Sequence, residues 1–382
     1  MRVVIAPDSF KGTIDADAAA RALAEGWASE RPDDEILCLP MADGGEGTLE
    51  VVSAAIDGTR LHPVRVIGPD DSPVEAEWLE LPGGEAVVEL ACASGILHLG
   101  DRLRPESAHS YGFGQALRAA SEAGATAIHA AIGGSASSDG GAGLLRALGA
   151  AVSDDDASRR DALGLPGRCA GIDLSRLRTL PPGGVRIWSD VTNPLLGPAG
   201  AVAVFGAQKG VTPEMTPRLE ARLAGFADEV ERSLGRRIRD LPGAGAAGGA
   251  GFGLLAWGGV VESGSRAVAR LLGLPAALVG ADAVITGEGR YDAQTASGKV
   301  VSEVLGLADA AEDGPALRAV VAGGIETGAG DIGGGTGGGS GTRLLSLTEL
   351  AGSASEAMRD APRWLRVAGR RLAASGSFRL DS

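Results

Sequence analysis

Residues 2–29 read RVVIAPDSFKGTIDADAAARALAEGWAS, and this stretch decides the predicted fold. The β-branched run Arg2–Ala6 is closed by Pro7 and predicts a buried strand. A Gly-containing loop follows. Residues 15–29 are rich in Ala and Leu and predict a helix whose early acids suit its dipole. Because residues 35–55 repeat the same order of strand, loop and helix, we expect a parallel α/β sheet with ligands at the carboxyl ends of its strands.

The middle of the chain follows a different pattern. Three strands joined by Gly/Pro turns, with no helix between them, are predicted over residues 60–67, 74–81 and 86–90. The first pattern returns with an apolar strand at residues 283–286. The sequence therefore predicts two α/β domains and an active site in the cleft between them. They are a Rossmann-like or flavodoxin-like parallel-sheet domain built from both chain ends, residues 1–60 and 275–382, and an inserted mixed-sheet domain, residues 61–274.

Composition narrows the class of protein. The net charge of −14 repels phosphate backbones and argues against nucleic-acid partners. The three Cys residues are widely and irregularly spaced, which predicts neither a disulfide framework nor a metal knuckle. The first ten residues do not resemble a signal peptide, and no run approaches 18 apolar residues. We therefore expect a cytoplasmic protein without a membrane partner.

Glycine is in excess, since 61 of 382 residues are Gly, more than twice the usual share of about 7%. Thirteen of these Gly residues fall in five loops that each leave an apolar strand and carry acids or amides. Glycine lets the backbone approach phosphate oxygens, and carboxylates beside it suit Mg²⁺. The set is typical of phosphoryl transfer, although one such loop alone is more often a turn. The loops are APDSFKGT (6–13), ADGGEGT (42–48), GGSASSDGG (133–141), SDVTNPLLGPAG (189–200) and GEGRYDAQTASGK (287–299).

Lysine is rare in this chain. Lys11, Lys209 and Lys299 are the only lysines among 35 basic residues, and each has Gly close by in sequence. An ammonium on a flexible stem is a point charge that can follow a phosphate. The spacing favours phosphate contacts for all three, with chance placement as the alternative.

Common catalytic signatures are absent from the sequence. A Walker loop would need Gly at 293 and Ser or Thr at 300, where the chain has Ala293 and Val300. Two GxGxxG matches begin at Gly243 and Gly328, but neither lies between a predicted strand and a helix. The four His residues fall outside the Gly loops, so a carboxylate is the expected catalytic base. The Gly-rich segment 328–341 is predicted to be a flexible loop.

Taken together, these motifs resemble the type I glycerate kinases of bacteria. The resemblance implies a two-domain α/β enzyme that uses ATP with Mg²⁺. It also implies transfer of the γ-phosphoryl group to D-glycerate, which gives ADP and 2-phosphoglycerate, with 3-phosphoglycerate as the other product considered. The matching segments, in order over roughly residues 2–300, are APDSFKGT, ADGGEGT, GGSASSDGGAG, SDVTNPLLGPAGA, QKG, GAGAAGG and TGEGRYDAQTASGK.

With this resemblance we assign expected roles, placing glycerate in the interdomain cleft and the ATP phosphates against the Gly loops. Asp190 is expected to accept the hydroxyl proton, with Asn193 positioning it, and Lys11 to contact the transferring phosphate. The guanidinium of Arg290 matches the substrate carboxylate. The remaining expected catalytic residues are Lys299, a second candidate for the carboxylate, and Asp292 and Gln294, which would orient these groups.

Two further sets complete the expected site. The expected Mg²⁺ ligands, direct or through water, are Asp43, Glu46 and Asp139. The residues expected to contact ATP are Ser9, Gly12, Gly44, Gly45, Gly133, Gly134, Ser135, Gly140, Gly141, Lys209, Gly287 and Gly289.

Two other functions stay open at this point. An NAD-dependent 2-hydroxy-acid dehydrogenase would need a GxGxxG turn in the right context and a catalytic His. A non-catalytic protein that binds small hydroxy acids would explain a cleft, but it would not need three lysines and many carboxylates around Gly loops. The oligomeric state and the domain that binds adenine are left undecided by the sequence.

Overall fold

The computed structural model describes residues 1–155, 162–291, 300–325 and 341–375. The chain divides into two compact units. The first unit comprises Met1–Asp43, Glu50–Ala55 and Ser265–Ser382, and the second comprises Gly44–Leu49 and Ile56–Gly264.

Strands and helices alternate through most of the described residues. The strands are β1 (Arg2–Ile5), β2 (Glu35–Cys38), β3 (Arg60–Ile67), β4 (Pro73–Glu80), β5 (Ala86–Glu89), β6 (Ile128–Ala131), β7 (Ala151–Asp154), β8 (Cys169–Asp173), β9 (Val185–Trp188), β10 (Val260–Glu262), β11 (Ala283–Tyr291), β12 (Leu317–Ile325) and β13 (Arg343–Ser346). The α-helices are α1 (Ala16–Ala28), α2 (Thr48–Ala55), α3 (Leu90–Ser94), α4 (Tyr111–Glu122), α5 (Ala142–Ala147), α6 (Ala201–Phe205), α7 (Thr216–Leu234), α8 (Ala246–Trp257), α9 (Gly264–Leu271), α10 (Leu274–Leu278), α11 (Val300–Ala310), α12 (Leu347–Ala351), α13 (Ala354–Arg359) and α14 (Ala361–Ala374).

The first unit is built on a five-stranded parallel sheet. Its strand order is β13-β12-β11-β1-β2, and every neighbouring pair is parallel. Taken in sequence order within the unit, this is the flavodoxin-like order 2-1-3-4-5, whose direction reverses between the first and third strands. Here the reversal lies between β1 and β11. The predicted parallel α/β sheet is confirmed, and its switch point marks where a ligand is expected.

Helices α1 and α14 cover one face of this sheet, and their backbones pack closely against each other. Asp15 caps α1 by accepting a hydrogen bond of 2.7 Å from the N–H of Ala18. A Cβ on Gly26 would lie 2.0 Å from the carbonyl oxygen of Arg366, and one on Gly369 would lie 2.2 Å from that of Leu23. Glycine is required at both positions because any side chain would force the helices apart.

The second unit carries a six-stranded mixed sheet in the order β10-β9-β6-β5-β4-β3. The pairs from β10 to β5 are parallel, and β5-β4 and β4-β3 are antiparallel. This confirms the predicted change of pattern. A separate two-stranded antiparallel sheet is formed by β7 and β8.

Residues 243–253 are rich in Gly and Ala and contain a tight turn. Three consecutive residues, Ala247, Gly248 and Gly249, adopt left-handed backbone angles, and a buried helix then continues to Trp257. The apolar residues after the turn form that helix because its sides are covered by the core.

Candidate functional site

A cavity of about 710 Å³ lies at the carboxyl edge of the parallel sheet in the first unit. Its lining comes from the segments that follow β1 and β2, from the ends of β11 and β12, and from the helices after β13. The edge and the switch point are where a doubly wound sheet holds its ligand. The lining residues are Asp8, Ser9, Phe10, Lys11, Thr13, Asp43, Glu288, Gly289, Arg290, Gly323, Gly324, Ile325, Leu347, Thr348, Ala354, Ala357, Met358 and Ala361.

The loop after β1 is held in place by the neighbouring strand. The N–H of Asp8 donates to the carbonyl of Gly287 over 2.8 Å, and the hydroxyl of Thr13 donates to the carbonyl of Phe10 over 2.5 Å. Phe10 itself is buried and anchors the loop in the core. The loop thereby presents Asp8 and Lys11 to the cavity.

Asp8 is the carboxylate whose environment is most unusual in this cavity. Burial, followed by the nearby carboxylates of Asp43 and Glu288, raises the pKa of Asp8 to about 7, against the opposing effect of Lys11. A carboxyl group with a pKa near the working pH can take up and release a proton. Sequence reasoning missed Asp8 and Glu288. The signal was present, since both are acids inside two of the five Gly loops.

The end of β11 supplies the opposite wall of the switch point. Glu288 is buried, whereas Arg290 is exposed at the cavity. Gly287 is required for close packing, because a Cβ there would lie 2.2 Å from the carbonyl oxygen of Val321. Of the predicted site residues, this cavity brings together Ser9, Lys11, Asp43, Gly289 and Arg290. Asp292, Gln294 and Lys299 lie outside the described residues.

In the second unit, the Asp139 carboxylate is buried and accepts hydrogen bonds from neighbouring protein groups. It is 1% exposed and accepts five hydrogen bonds at 2.8–3.2 Å. The donors are the N–H groups of Ser110, Gly141 and Gly143 and the hydroxyls of Ser110 and Ser137. Because five donors surround its oxygens, Asp139 orders its loop, and its expected role as a metal ligand stays a prediction.

The backbone of residues 133–141 is also engaged internally. The N–H of Gly133 donates to Gly44, that of Gly140 to Gly248, and that of Gly141 to Asp139. These N–H groups therefore point to protein acceptors, and the expected phosphate contacts of these three glycines stay a prediction. Gly134 and Gly45 belong to the same packed region, where a Cβ on Gly133 would lie 2.4 Å from the Cα of Gly45.

Lys209 is buried rather than offered to a ligand. It is 3% exposed, and its Nζ donates to the Ser135 hydroxyl and to the Ser137 carbonyl, each over 2.6 Å. Burial lowers the pKa of Lys209 to about 7, although the charge of Asp139 opposes the shift. The structure thus makes Lys209 a clamp on the 133–141 loop, and its expected phosphate contact stays a prediction.

The clamp predicts a distinctive stability profile for Lys209→Met. The folded pKa lies below that of an unfolded lysine, so the charge penalty is full below pH 7 and disappears as pH rises towards 10.5. Between pH 7 and pH 9 the free energy of unfolding of the wild type should gain about 2 kcal/mol relative to the variant. Urea unfolding at both pH values measures this. Parallel pH profiles for the two proteins would contradict the assignment.

Glu89 holds the loop that carries Glu46. It lies at the end of β5, is 2% exposed, and accepts hydrogen bonds from the N–H groups of Gly47 at 3.2 Å and Leu49 at 2.9 Å. Burial raises the pKa of Glu89 to about 7. Glu46 is exposed on the same loop, and Gly44 packs against Trp188. Sequence reasoning missed Glu89, because it stands at the end of a strand without a Gly loop around it.

Asp190 and Asn193 follow β9, at the carboxyl edge of the second sheet. Asp190 is half-buried. The Asn193 side chain donates to the carbonyl of Ala199 over 2.8 Å, and its own carbonyl accepts from the N–H of Gly245 over 2.8 Å. Asn193 therefore shapes its own loop, and the expected role of Asp190 as base stays a prediction.

Gly12, the remaining expected phosphate contact, has a positive φ of 79° in the first unit.

Among the residues that the structure describes, no group of three or more His, Cys, Asp or Glu side chains is arranged to hold a metal ion. Magnesium does not require one, since it commonly binds one or two carboxylates, with waters and substrate phosphates completing its shell.

In the described parts of the chain no helix has the length and apolar composition needed to span a bilayer.

The parallel sheet, with acids and cations at its switch point, defines the class as an α/β protein with a small-molecule site. The comparisons with known proteins then identify the family. The chain belongs to the glycerate kinase family, whose profile matches residues 3–376. It is therefore an enzyme of the kinase class, which removes the dehydrogenase and non-catalytic alternatives.

Relatives and a solved structure agree with this assignment. The glycerate kinase of Bacillus subtilis (strain 168) is 41% identical over 321 residues, covering 82% of each chain. The glycerate 2-kinase of Escherichia coli (strain K12) is 40% identical over 316 residues, covering 81% of this chain and 82% of the relative. A crystal structure of a protein assigned as glycerate kinase 2 from Salmonella typhimurium LT2 superposes with a TM-score of 0.76 at 35% identity and covers 98% of both chains.

Proposed function

We propose that this chain is an ATP-dependent glycerate kinase that transfers the γ-phosphoryl group of ATP to D-glycerate, giving ADP and 2-phosphoglycerate. Membership in the glycerate kinase family supports the activity. The observation that carries the site is the cavity at the switch point of the first unit, which gathers three carboxylates with Lys11 and Arg290. We also expect the enzyme to act in the cytoplasm.

Three side chains of the cavity suit three parts of the reaction: the glycerate carboxylate, the phosphoryl group and the hydroxyl proton. The Arg290 guanidinium presents a planar fork that can bind a carboxylate through two hydrogen bonds. The Lys11 ammonium supplies a positive charge where negative charge spreads over the phosphoryl oxygens. The Asp8 carboxylate, with its pKa near 7, accepts the proton of the attacking hydroxyl. Each group is thus matched to a separate charge that changes or must be held during transfer.

The carboxylates of this cavity fit a magnesium ion. Burial raises the pKa of Asp8 most, and the carboxylates of Asp43 and Glu288 add to the rise by repulsion. A divalent cation would relieve that added repulsion. Asp43, which lines this cavity, is our first choice of ligand, as the sequence predicts. When bound, Mg²⁺ would neutralise charge on the β- and γ-phosphates.

The direct test is coupled ADP release with purified enzyme against D-glycerate, L-glycerate, lactate and glycolate. We expect release with D-glycerate and MgATP and little with the acids that carry a single hydroxyl. Phosphorus NMR of the product distinguishes 2-phosphoglycerate from 3-phosphoglycerate. Absence of ADP release with both glycerate isomers would overturn the proposed function.

A comparison of two variants separates the candidate bases. Asp190→Ala and Asp8→Asn each remove a carboxylate that follows a strand. If Asp8 is the base, the pH dependence of kcat/KM should lose its rise near pH 7 in Asp8→Asn and keep it in Asp190→Ala. The reverse result would restore Asp190 to the role expected from the sequence.

A further inference from the structure

The cavity of the first unit has a second half that the chemistry above does not use. Away from the charged groups, its lining is apolar: Ile325, Leu347, Ala354, Ala357, Met358 and Ala361. Glycerate carries a carboxylate and two hydroxyls on three carbons, so it has no surface for such a wall. A cavity of about 710 Å³ is also in the size range that encloses a drug-sized ligand. The wall therefore belongs to a larger molecule with a flat apolar part.

We propose that this wall, formed by helices α12 to α14 and the end of β12, binds the adenine of ATP. The inference rests on the proposed kinase function and assigns the nucleoside half of its nucleotide. The charged end of the same cavity holds Lys11, which suits the phosphates, so one continuous cavity offers an apolar end and a cationic end. ATP has the same division along its length.

Met358 is the residue of the wall that a ligand would cover. Its neighbours Leu347, Ala357 and Ala361 are at most 4% exposed, whereas Met358 is 60% exposed and lines the cavity. A thioether side chain adapts to an aromatic face and makes favourable sulfur–aromatic contacts. An exposed Met beside the buried Leu347, Ala357 and Ala361 is therefore a contact surface for a planar ring.

Gly324 lines the cavity and leaves space open because it has no side chain. A Cβ at this position would meet only the Thr348 hydroxyl, at 4.0 Å, within a 4 Å radius. Thr348 is itself fixed, since its hydroxyl donates to the carbonyl of Gly323 over 2.7 Å. The backbone of Gly324 is not in the left-handed region, so a larger residue is tolerated there without backbone strain. Such a side chain would occupy space that the base needs.

The test is equilibrium binding without glycerate, by isothermal titration calorimetry, with ADP and tripolyphosphate as the two probes in the presence of Mg²⁺. We expect Met358→Ala to weaken ADP binding about tenfold, since it removes most of one apolar side chain from the contact. Gly324→Val should weaken it more. Neither variant should change tripolyphosphate binding, because that probe has no base. Val279→Ala truncates a side chain that is 48% exposed and lies outside the cavity lining, so it serves as the matched control.

The outcomes separate this inference from the proposed function. Unchanged ADP affinity in both variants overturns the adenine subsite, as does an equal loss for ADP and tripolyphosphate. If the wild type phosphorylates glycerate, only the subsite then fails. If the wild type binds ADP through Met358 and Gly324 but releases no ADP with glycerate, the subsite stands and the kinase proposal fails.

Discussion

Asp8→Asn is expected to lower kcat/KM for glycerate by about 10²–10⁴, the usual cost of losing a general base. The substitution keeps the size of the side chain and removes the group that accepts the proton. Because burial and two neighbouring carboxylates raise the pKa of Asp8 to about 7, the wild-type value should rise as pH increases through 7. Steady-state kinetics from pH 5.5 to 9 measure both effects.

The stability of the same variant should change in the opposite direction. The folded pKa lies above that of an unfolded Asp, so the stability that comes from the proton is present below about pH 4 and is lost as pH rises through 7. At pH 8 the ionised Asp8 therefore costs stability, and Asp8→Asn should unfold at a higher temperature than the wild type. A variant that loses both activity and stability would mean that Asp8 is structural. Asp33→Asn, an exposed turn position, controls for loss of one charge.

Lys11→Met is expected to lower kcat by about 10²–10³, with the fold intact. Lys11 is exposed at the cavity, and its charge is placed to stabilise the transferring phosphoryl group. An interaction realised in the transition state affects kcat more than KM. Rapid measurement of ADP release at saturating glycerate and ATP checks the effect.

The control for Lys11→Met is Arg21→Met. This substitution lies on α1, outside the cavity lining, and changes the net charge of the protein by the same amount. Arg21 pairs with Asp17 at 2.7 Å on the surface, where ion pairs contribute little to stability. Arg21→Met should keep wild-type kinetics and melting temperature. Near-normal turnover in Lys11→Met would remove Lys11 from the mechanism, and an equal loss in both variants would show a general effect of charge.

Much of the first unit could be predicted from the sequence. The run Arg2–Ala6 and the later run at residues 283–286 alternate with loops and helices, and parallel strands place all their carboxyl ends at one edge. For that reason the loops carrying Lys11, Asp43 and Arg290 were expected to contribute to one site, and these residues do line one cavity. Local pattern was sufficient because strand polarity alone decides which loops share an edge.

In the second unit the sequence pattern could not show which groups the loop residues contact within the protein. The loop GGSASSDGG has the same letters whether its N–H groups face a phosphate or a protein acceptor. In the structure, Asp139 and Gly248 take those hydrogen bonds, and Lys209 fills the space against Ser135 and Ser137. Burial of this kind depends on residues more than 70 positions apart in the chain.

The sequence by itself determined the order of strands, loops and helices, and through its motifs the family, because both depend on residues close together along the chain. Only the tertiary structure decided which polar residues are chemically available. It placed Asp8 among other carboxylates at the switch point and enclosed Asp139 and Lys209 within the protein. The physical reason is that a pKa, a free hydrogen-bonding group and an apolar wall such as that around Met358 are set by neighbours in space.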